Sequence, residues 1–178
     1  MKKALLTLLV IFLAVSVSNA QYQPGKNTFG ALIGFGGGSL NGTGGIPVAV
    51  EYNFANVLDK KIQLGGFAAY ASTSEDYGWG FGNGKWKYSN FIIAAQANYH
   101  FMPGDKLDPF AGISLGYNVA SASWSWNGPG GGSEPSASAG GIFWNIQGGL
   151  NYWFSPKWAL QVRLGYFPYF GVGVTAAL

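Results

Sequence analysis

The sequence predicts an all-β fold, an eight-stranded antiparallel up-and-down barrel that crosses a membrane. Three observations lead to this prediction: few charged residues, many aromatic and glycine residues, and stretches in which apolar and polar residues alternate. Charged residues make up 10% of the chain, where about 25% is usual. Aromatic residues make up 17%, and there are 29 glycines. An alternating strand needs only one apolar face toward lipid, so such a chain can cross a membrane without a long apolar helix.

Residues 1–20 are predicted to be a cleaved signal peptide, and residues 21–178 a single barrel domain. Lys2 and Lys3 precede an apolar run that ends at a small-residue cleavage signal around Ala20. Without these two lysines the formal charge falls from +3 to +1, so basicity gives no argument for nucleic acid binding. The chain has no cysteine, which excludes disulfides and thiolate metal sites. After residue 20 no apolar run reaches the roughly 18 residues of a spanning helix.

Eight strands can be placed from the alternation of apolar and polar residues. In the segment FIIAAQANYHF, residues 91–101, one face is continuously apolar and the other carries Gln96, Asn98 and His100. The predicted strands cover about residues 27–36, 45–54, 61–72, 88–101, 108–122, 140–154, 157–167 and 170–178.

The connections between these strands alternate between short and long. ANVLDK, MPGDKL and the SPK region are predicted to be short turns, whereas residues 36–45, 72–87 and 123–139 are predicted to be long, glycine-rich loops. This asymmetry is typical of an outer-membrane barrel with short periplasmic turns and longer extracellular loops. The even strand count places both ends of the strand set on the periplasmic side.

Aromatic residues recur on the apolar face where the strands meet the short turns. An aromatic-x-Phe motif ends three strands, in EYNF, NYHF and NYWF. Trp158 and Tyr166 bound one strand, and the distance between them is roughly 26 Å along the chain. With strand tilt this becomes roughly 20 Å, close to the height of the apolar band of a small barrel. We expect a periplasmic aromatic girdle of Tyr52, Phe54, Tyr99, Phe101, Tyr152, Phe154 and Trp158, and a second row of Tyr70, Tyr117, Trp144 and Tyr166 toward the long loops.

The signal, the aromatic-x-Phe strand ends and the short-turn, long-loop alternation resemble the small eight-stranded outer-membrane barrels of the OmpA/OmpX type, a porin-like group. The resemblance covers essentially the whole mature chain and concerns architecture. It implies a location in the cell outer membrane, contact with its lipid and lipopolysaccharide, and insertion by the barrel assembly machinery.

His100 is the only histidine in the chain. A metal site needs several ligands, and a hydrolytic site needs a serine and an acid within reach. Asp105 and Asp108 are near in sequence but are predicted to lie on the following turn. The corresponding residues of the other two motifs, Asn53 and Trp153, share no chemistry with histidine. We therefore expect a structural, inward-facing His100, with no catalytic residue, no metal and no cofactor.

Glu51 and Arg163 are both predicted to face the lumen. Charges inside a low-dielectric barrel are costly unless they are paired, and an eight-stranded lumen is narrow enough for long side chains to meet across it. We expect a polar network that closes the barrel; a gate for a narrow ion path, or a substrate or proton site, are the alternatives. The predicted network contains Glu51, Arg163, Gln63, Gln96, Gln147 and Gln161, with Asn98, Asn145 and Asn151 beside them.

Two of the predicted loops contain aromatic residues, in one of them together with lysines. Such residues could stack on sugars or bases, or contact lipopolysaccharide phosphates. The favoured interpretation is that the aromatic residues extend the outer girdle, because Trp124 and Trp126 keep the strand period of two. The candidate loop contacts are Trp79, Phe81, Lys85, Trp86, Lys87, Trp124 and Trp126.

The sequence thus predicts a non-enzymatic integral outer-membrane barrel with a side-chain-filled lumen. Its role would be structural, or its loops would serve adhesion or partner binding, alone or within an envelope complex, with no nucleic acid partner. The main alternative is a small pore for ions or small solutes, gated by Glu51 and Arg163. A membrane enzyme acting on lipid would need Ser, His and an acid near one rim, and a secreted lectin-like sandwich would not fractionate with the outer membrane.

Overall fold

The computed structural model describes residues 24–36, 45–79, 82–127 and 135–178. Within them, eight strands pair antiparallel with their chain neighbours, and β1 pairs with β8 to close a barrel. No described residue belongs to a helix long and apolar enough to span a membrane. The predicted signal peptide lies outside the described residues. The strands are β1 (Thr28–Phe35), β2 (Val48–Val57), β3 (Ile62–Trp79), β4 (Gly82–His100), β5 (Leu107–Asn127), β6 (Ser136–Trp153), β7 (Trp158–Gly165) and β8 (Phe170–Ala177).

Alternating side chains give the barrel wall an apolar outside and a mixed inside. On β4, Phe91 and Ile93 are exposed while Ile92 and Gln96 are buried. The same alternation runs along β7, where Val162 is exposed and the neighbouring Arg163 is fully buried. A row of large exposed apolar side chains around the whole ring is the surface that a barrel presents to lipid.

Three short turns, the start of β1 and the end of β8 lie at one end of the barrel, which we call the turn end. The opposite end is the loop end. The turns cover residues 58–61, 101–106 and 154–157, close to the three short turns predicted from the sequence. Residues 55–57 of the predicted ANVLDK turn belong to β2, and Leu107 of the predicted MPGDKL turn begins β5. In the first turn Leu58, Asp59 and Lys60 all have positive φ angles, of 50°, 54° and 67°. A fourth connection, residues 166–169, joins β7 to β8 at the loop end.

At the loop end four strands continue far beyond the other four. The segment 72–87, predicted to be a loop, is mostly strand, since β3 and β4 pair as far as Trp79 and Gly82. Pairing of β5 with β6 likewise reaches Ser123 and Ser136, so much of the predicted loop 123–139 is also strand. The predicted loop 36–45 lies almost entirely outside the described residues. We call the projecting part, residues 71–79, 82–90, 120–127 and 136–141, the outer sheet.

The outer sheet has two edges without a neighbouring strand among the described residues. Pairing of β2 with β3 ends at Val48 and Tyr70, and ladder pairing of β6 with β7 ends at Gln147 and Gly165. From Tyr70 to Trp79, β3 therefore continues for about 30 Å without pairing to β2.

Candidate functional site

Glu51 lies at the centre of a buried polar network in the lumen. Its carboxylate accepts hydrogen bonds from Arg163 Nη2, from Gln96 Nε2 at 2.8 Å and from Gln161 Nε2 at 3.1 Å. Gly30 faces it on β1, and a Cβ atom there would come within 2.8 Å of the Glu51 side chain. The absence of a side chain at residue 30 therefore makes the room that the carboxylate occupies.

Arg163 is fully buried, and its charge is balanced in two ways. It forms an ion pair with Glu51 across the lumen, from β7 to β2. Its guanidinium also lies 5.7 Å from the ring centre of Phe110 and 5.9 Å from that of Phe67. Since a buried cation is costly without a partner, these contacts explain how the lumen tolerates arginine.

Amide side chains extend the network on both sides of this ion pair. Gln147 donates to Asn98 Oδ1 at 2.7 Å, and Gln96 donates to Asn53 Oδ1 at 2.9 Å. Asn145 holds the β7–β8 connection, because its Oδ1 accepts from the backbone of Phe167 and its Nδ2 donates to the carbonyl of the same residue, both at 3.0 Å. The structure thus brings together five of the six predicted network residues, and Gln63 lines the chamber next to them.

His100 and Asp108 form a second buried pair, nearer the turn end. The distance from His100 Nδ1 to Asp108 Oδ2 is 2.7 Å. The prediction that Asp108 lies on the turn is wrong. It is the second residue of β5, and its side chain is fully buried. The two residues line a chamber of only about 10 Å³, the room that one water molecule needs.

Toward the loop end the lumen is filled by an apolar cluster. Phe67 and Phe143 stack with ring centres 6.4 Å apart, and Phe167 meets Phe143 edge-on at 6.1 Å. The cluster consists of Leu32, Ala49, Phe67, Ala69, Ala71, Ile92, Ala94, Phe143 and Phe167. It covers the ion pair on the side that leads to the outer sheet.

The seven predicted girdle residues lie at or near the strand ends that meet the turn end. Tyr52 and Phe54, and likewise Tyr99 and Phe101, are exposed on the outward face as neighbouring pairs of rings. Trp158 is exposed at the start of β7, while Tyr152 and Phe154 are half-buried. At the opposite side of the apolar band, Trp144 and Tyr166 stack with ring centres 5.0 Å apart.

The structure separates the predicted loop contacts onto two faces of the outer sheet. Trp86 and Trp124 pair across β4 and β5 on the face that continues the lumen lining, with ring centres 5.2 Å apart. Lys85 and Lys87 lie on the outward face. The expectation that Trp124 and Trp126 extend the girdle is therefore wrong, because the girdle side chains of β5, such as Tyr117, point the other way. Phe81 and the side chain of Trp79 lie outside the described parts of the chain.

Near the tip of the β3–β4 hairpin the charged side chains are close to solvent. Lys85 Nζ lies 3.7 Å from Asp76 Oδ1 on the outward face. On the other face the Tyr77 hydroxyl donates to Glu75 Oε2 at 2.8 Å, and this hydrogen bond to a carboxylate raises the pKa of Tyr77. Exposed pairs of this kind contribute little to stability.

Comparison with known proteins identifies the architecture. A family model described as the outer membrane protein beta-barrel domain matches residues 5–176. The chain belongs to the outer membrane protein β-barrel family. Its place is accordingly the cell outer membrane. No match was found among curated proteins.

Solved barrels similar to this family member come from several bacteria. Neisserial surface protein A is 17% identical, with a TM-score of 0.55 over 88% of this chain and 98% of that one. The N-terminal barrel of Pseudomonas aeruginosa OprF is also 17% identical, with a TM-score of 0.48 over 88% and 100% of the two chains. Ail of Yersinia pestis, solved in complex with the heparin analogue sucrose octasulfate, is 15% identical, with a TM-score of 0.46 over 84% and 92%. At these identities the likeness concerns the fold.

Sequence reasoning on this outer-membrane barrel missed the buried position of Asp108 and the hydrogen bonds that Asn53 makes in the luminal network. Asp108 could have been found from the alternation of β5, since Asp108, Phe110 and Ser114 all fall on the inward face. Asn53 also falls on the inward face of its strand, where it receives the Gln96 hydrogen bond and donates to Thr28 Oγ1 at 3.0 Å. No sequence signal gives such pairings between distant strands.

Proposed function

We propose that this protein is a non-enzymatic outer-membrane barrel with a closed lumen, which holds the outer sheet outside the cell for adhesion or partner binding. The observation that carries this function is the outer sheet itself. Four strands continue beyond the barrel, and two edges of that sheet have no strand partner among the described residues. Unpaired strand edges and exposed side chains are surfaces on which proteins recognise other molecules.

A closed lumen is supported by two layers of packed side chains. The apolar cluster around Phe67 and Phe143 fills the loop-end half, and the Glu51 network fills the middle. The chamber that remains has room for about one water molecule. A pore gated by the Glu51–Arg163 pair would still have to pass the apolar cluster, where an ion finds no polar partner.

The non-enzymatic role is supported by the surroundings of the only histidine. His100 and Asp108 resemble the base and the orienting acid of a hydrolytic site. However, they face a chamber too small for a substrate. Their contact is explained as a structural hydrogen bond between two buried polar atoms, His100 Nδ1 and Asp108 Oδ2.

Lipid and lipopolysaccharide are the partners that the outward face fits. Its apolar band faces the lipid, and Lys87 lies on the same face beyond this band, roughly 13 Å along β4 from Phe91. Lys85 follows on that face two residues further on. Lipopolysaccharide carries phosphate groups, and ammonium groups bind phosphate. Insertion by the barrel assembly machinery is proposed from the resemblance to OmpA/OmpX-type barrels, and membership of an envelope complex is one form that partner binding by the outer sheet could take.

Conductance in planar lipid bilayers tests the closed lumen. We expect no discrete openings from the purified, refolded protein, nor from Glu51→Ala, because the apolar cluster remains in place. A folded sample is verified by its heat-dependent gel mobility. Openings in the wild-type protein would contradict the proposal, and openings that appear only in Glu51→Ala would favour the gated pore.

A further inference from the structure

We infer that the lumen-side face of the outer sheet binds a neutral oligosaccharide by stacking sugar rings on its aromatic residues. This inference rests on the proposed function, because the face can meet a ligand only if the outer sheet stands outside the membrane.

Aromatic rings form a continuous ridge on this face. Trp86 stacks against Tyr88 with ring centres 6.2 Å apart and an interplanar angle of 19°. Trp124 adjoins Trp86 at 5.2 Å, and Tyr77 adjoins Trp124 at 6.3 Å. Trp86, Tyr88 and Trp124 are half-buried and Tyr77 is exposed, so part of their surface remains free. The ridge runs along β3, β4 and β5, above the apolar cluster that closes the lumen.

A trough of small residues lies beside the ridge. Ala120 and Ala122 on β5 pair with Ala139 and Ala137 on β6, and all four keep to the lumen-side face. Gly141 continues the row, and a Cβ atom placed there would meet nothing within 4 Å. A ridge of flat rings next to open, small residues offers a stacking surface with space for a ring alongside it.

The charges of the outer sheet favour a neutral ligand. Among the described residues, Glu75 is the one charged residue on the lumen-side face of the outer sheet, where it lies among the aromatic rings. Lys85 and Lys87 point away from it, and the sequence of every other loop-end connection contains neither lysine nor arginine. A sulfated or phosphorylated ligand would therefore meet a carboxylate without a compensating cation.

Sugars match the remaining chemistry of this face. The C–H faces of a sugar ring pack on aromatic rings, and its hydroxyl groups can donate to the Glu75 carboxylate and to the Tyr77 oxygen, whose own proton is donated to Glu75 at 2.8 Å. The bases of a nucleic acid would also stack on the rings, but its phosphates would be repelled by the Glu75 carboxylate. A neutral oligosaccharide can stack on the aromatic rings and brings no negative charge close to Glu75.

Titration of tryptophan fluorescence tests the inference on the refolded full-length barrel in detergent. The probes are maltohexaose, cellohexaose and chitohexaose, with a heparin hexasaccharide as the charged comparison. We expect saturable binding of at least one neutral probe and weaker binding of the heparin fragment. Trp86→Ala and Trp124→Ala should each weaken binding about tenfold, as expected for loss of one aromatic stack.

Two further variants separate recognition from folding. Lys87→Ala changes the neighbour of Trp86 on the opposite face and should leave binding unchanged. Ala139→Leu keeps every aromatic ring but fills the trough, and should also weaken binding. Heat-dependent gel mobility verifies that each variant is folded. Absence of saturable binding by all three neutral probes, preference for the heparin fragment, or equal loss in Lys87→Ala would overturn the inference. A barrel that forms no pore but binds none of the sugars would lose only this site, whereas channel openings would count against the proposed function.

Discussion

At the centre of the barrel, one carboxylate decides whether an arginine can stay buried. Glu51 is the acidic partner of Arg163, and both side chains are almost completely removed from solvent. Desolvating two charges is costly, so the pair is expected to specify how the strands meet rather than to add much net stability. The two aromatic rings near Arg163 cannot replace the carboxylate, since a cation–π contact offsets only part of the desolvation.

Substitution of either charged residue should therefore be more harmful than substitution of both. We expect Glu51→Gln to lower the free energy of unfolding by about 3–5 kcal/mol, because it leaves Arg163 buried without a counter-charge. The double variant Glu51→Gln/Arg163→Met should lose less than Glu51→Gln alone. Urea unfolding in lipid vesicles, followed by gel mobility, measures the losses of Glu51→Gln, Arg163→Met and the double variant relative to the wild-type protein. If the double variant lost the sum of the two single losses, the residues would not be coupled.

The lone histidine shows what residue-level reading of the sequence can and cannot reach. The inward direction of His100 follows from the period of two, and its burial agrees with that prediction. The inward direction of Asp108 follows from the alternation of β5 in the same way. Its contact with His100 could not be predicted, because Asp108 lies on the next strand, across a turn whose length sets the register. Hydrogen bonds such as Gln147 to Asn98 depend in the same way on strand pairing, which the side-chain types alone do not specify.

At the scale of elements, the strand count was predictable but the loop-end boundaries were not. On β3, β4 and β5 the outward face is apolar up to Tyr70, Phe91 and Val119, and then becomes a row of serines, lysines and one aspartate. The aromatic residues change to the lumen-side face at the same level. The strands continue, but the apolar face switches sides, and in the sequence this switch resembles the end of a strand. It marks where the lipid-facing band stops.

The first turn is an element with a local conformational cost. Leu58 has a φ of 50°, a conformation that costs an L-residue about 1–2 kcal/mol and glycine almost nothing. We expect Leu58→Gly to raise the free energy of unfolding by about 0.5–1 kcal/mol, after the greater freedom of glycine in the unfolded chain is deducted. Val57→Gly is the matched control: it lies within β2, where glycine should destabilise. Equal losses in both variants would show that Leu58 is stabilised by contacts that outweigh its backbone conformation.

At the scale of the whole molecule, the outward surface divides into an apolar band and a polar sheet above it. Val162 lies midway between Trp158 and Tyr166 on β7 and is exposed. Ser138, on the outward face of β6, is also exposed but belongs to the outer sheet. Membership of the outer-membrane family implies that the first position meets hydrocarbon and the second meets water or lipopolysaccharide head groups.

The same substitution at these two positions should therefore have very different effects. Val162→Lys should lower the free energy of unfolding by about 2–4 kcal/mol in lipid vesicles, the cost of a lysine at the bilayer midplane, whereas Ser138→Lys should change it by less than about 0.5 kcal/mol. Urea titrations of both refolded variants, read by gel mobility, give the comparison. In detergent micelles the difference should shrink, because a micelle deforms more readily to hydrate the charge. Similar costs at both positions in vesicles would mean that the lipid boundary does not run between the apolar band and the outer sheet, and the assignment of an extracellular sheet would have to be abandoned.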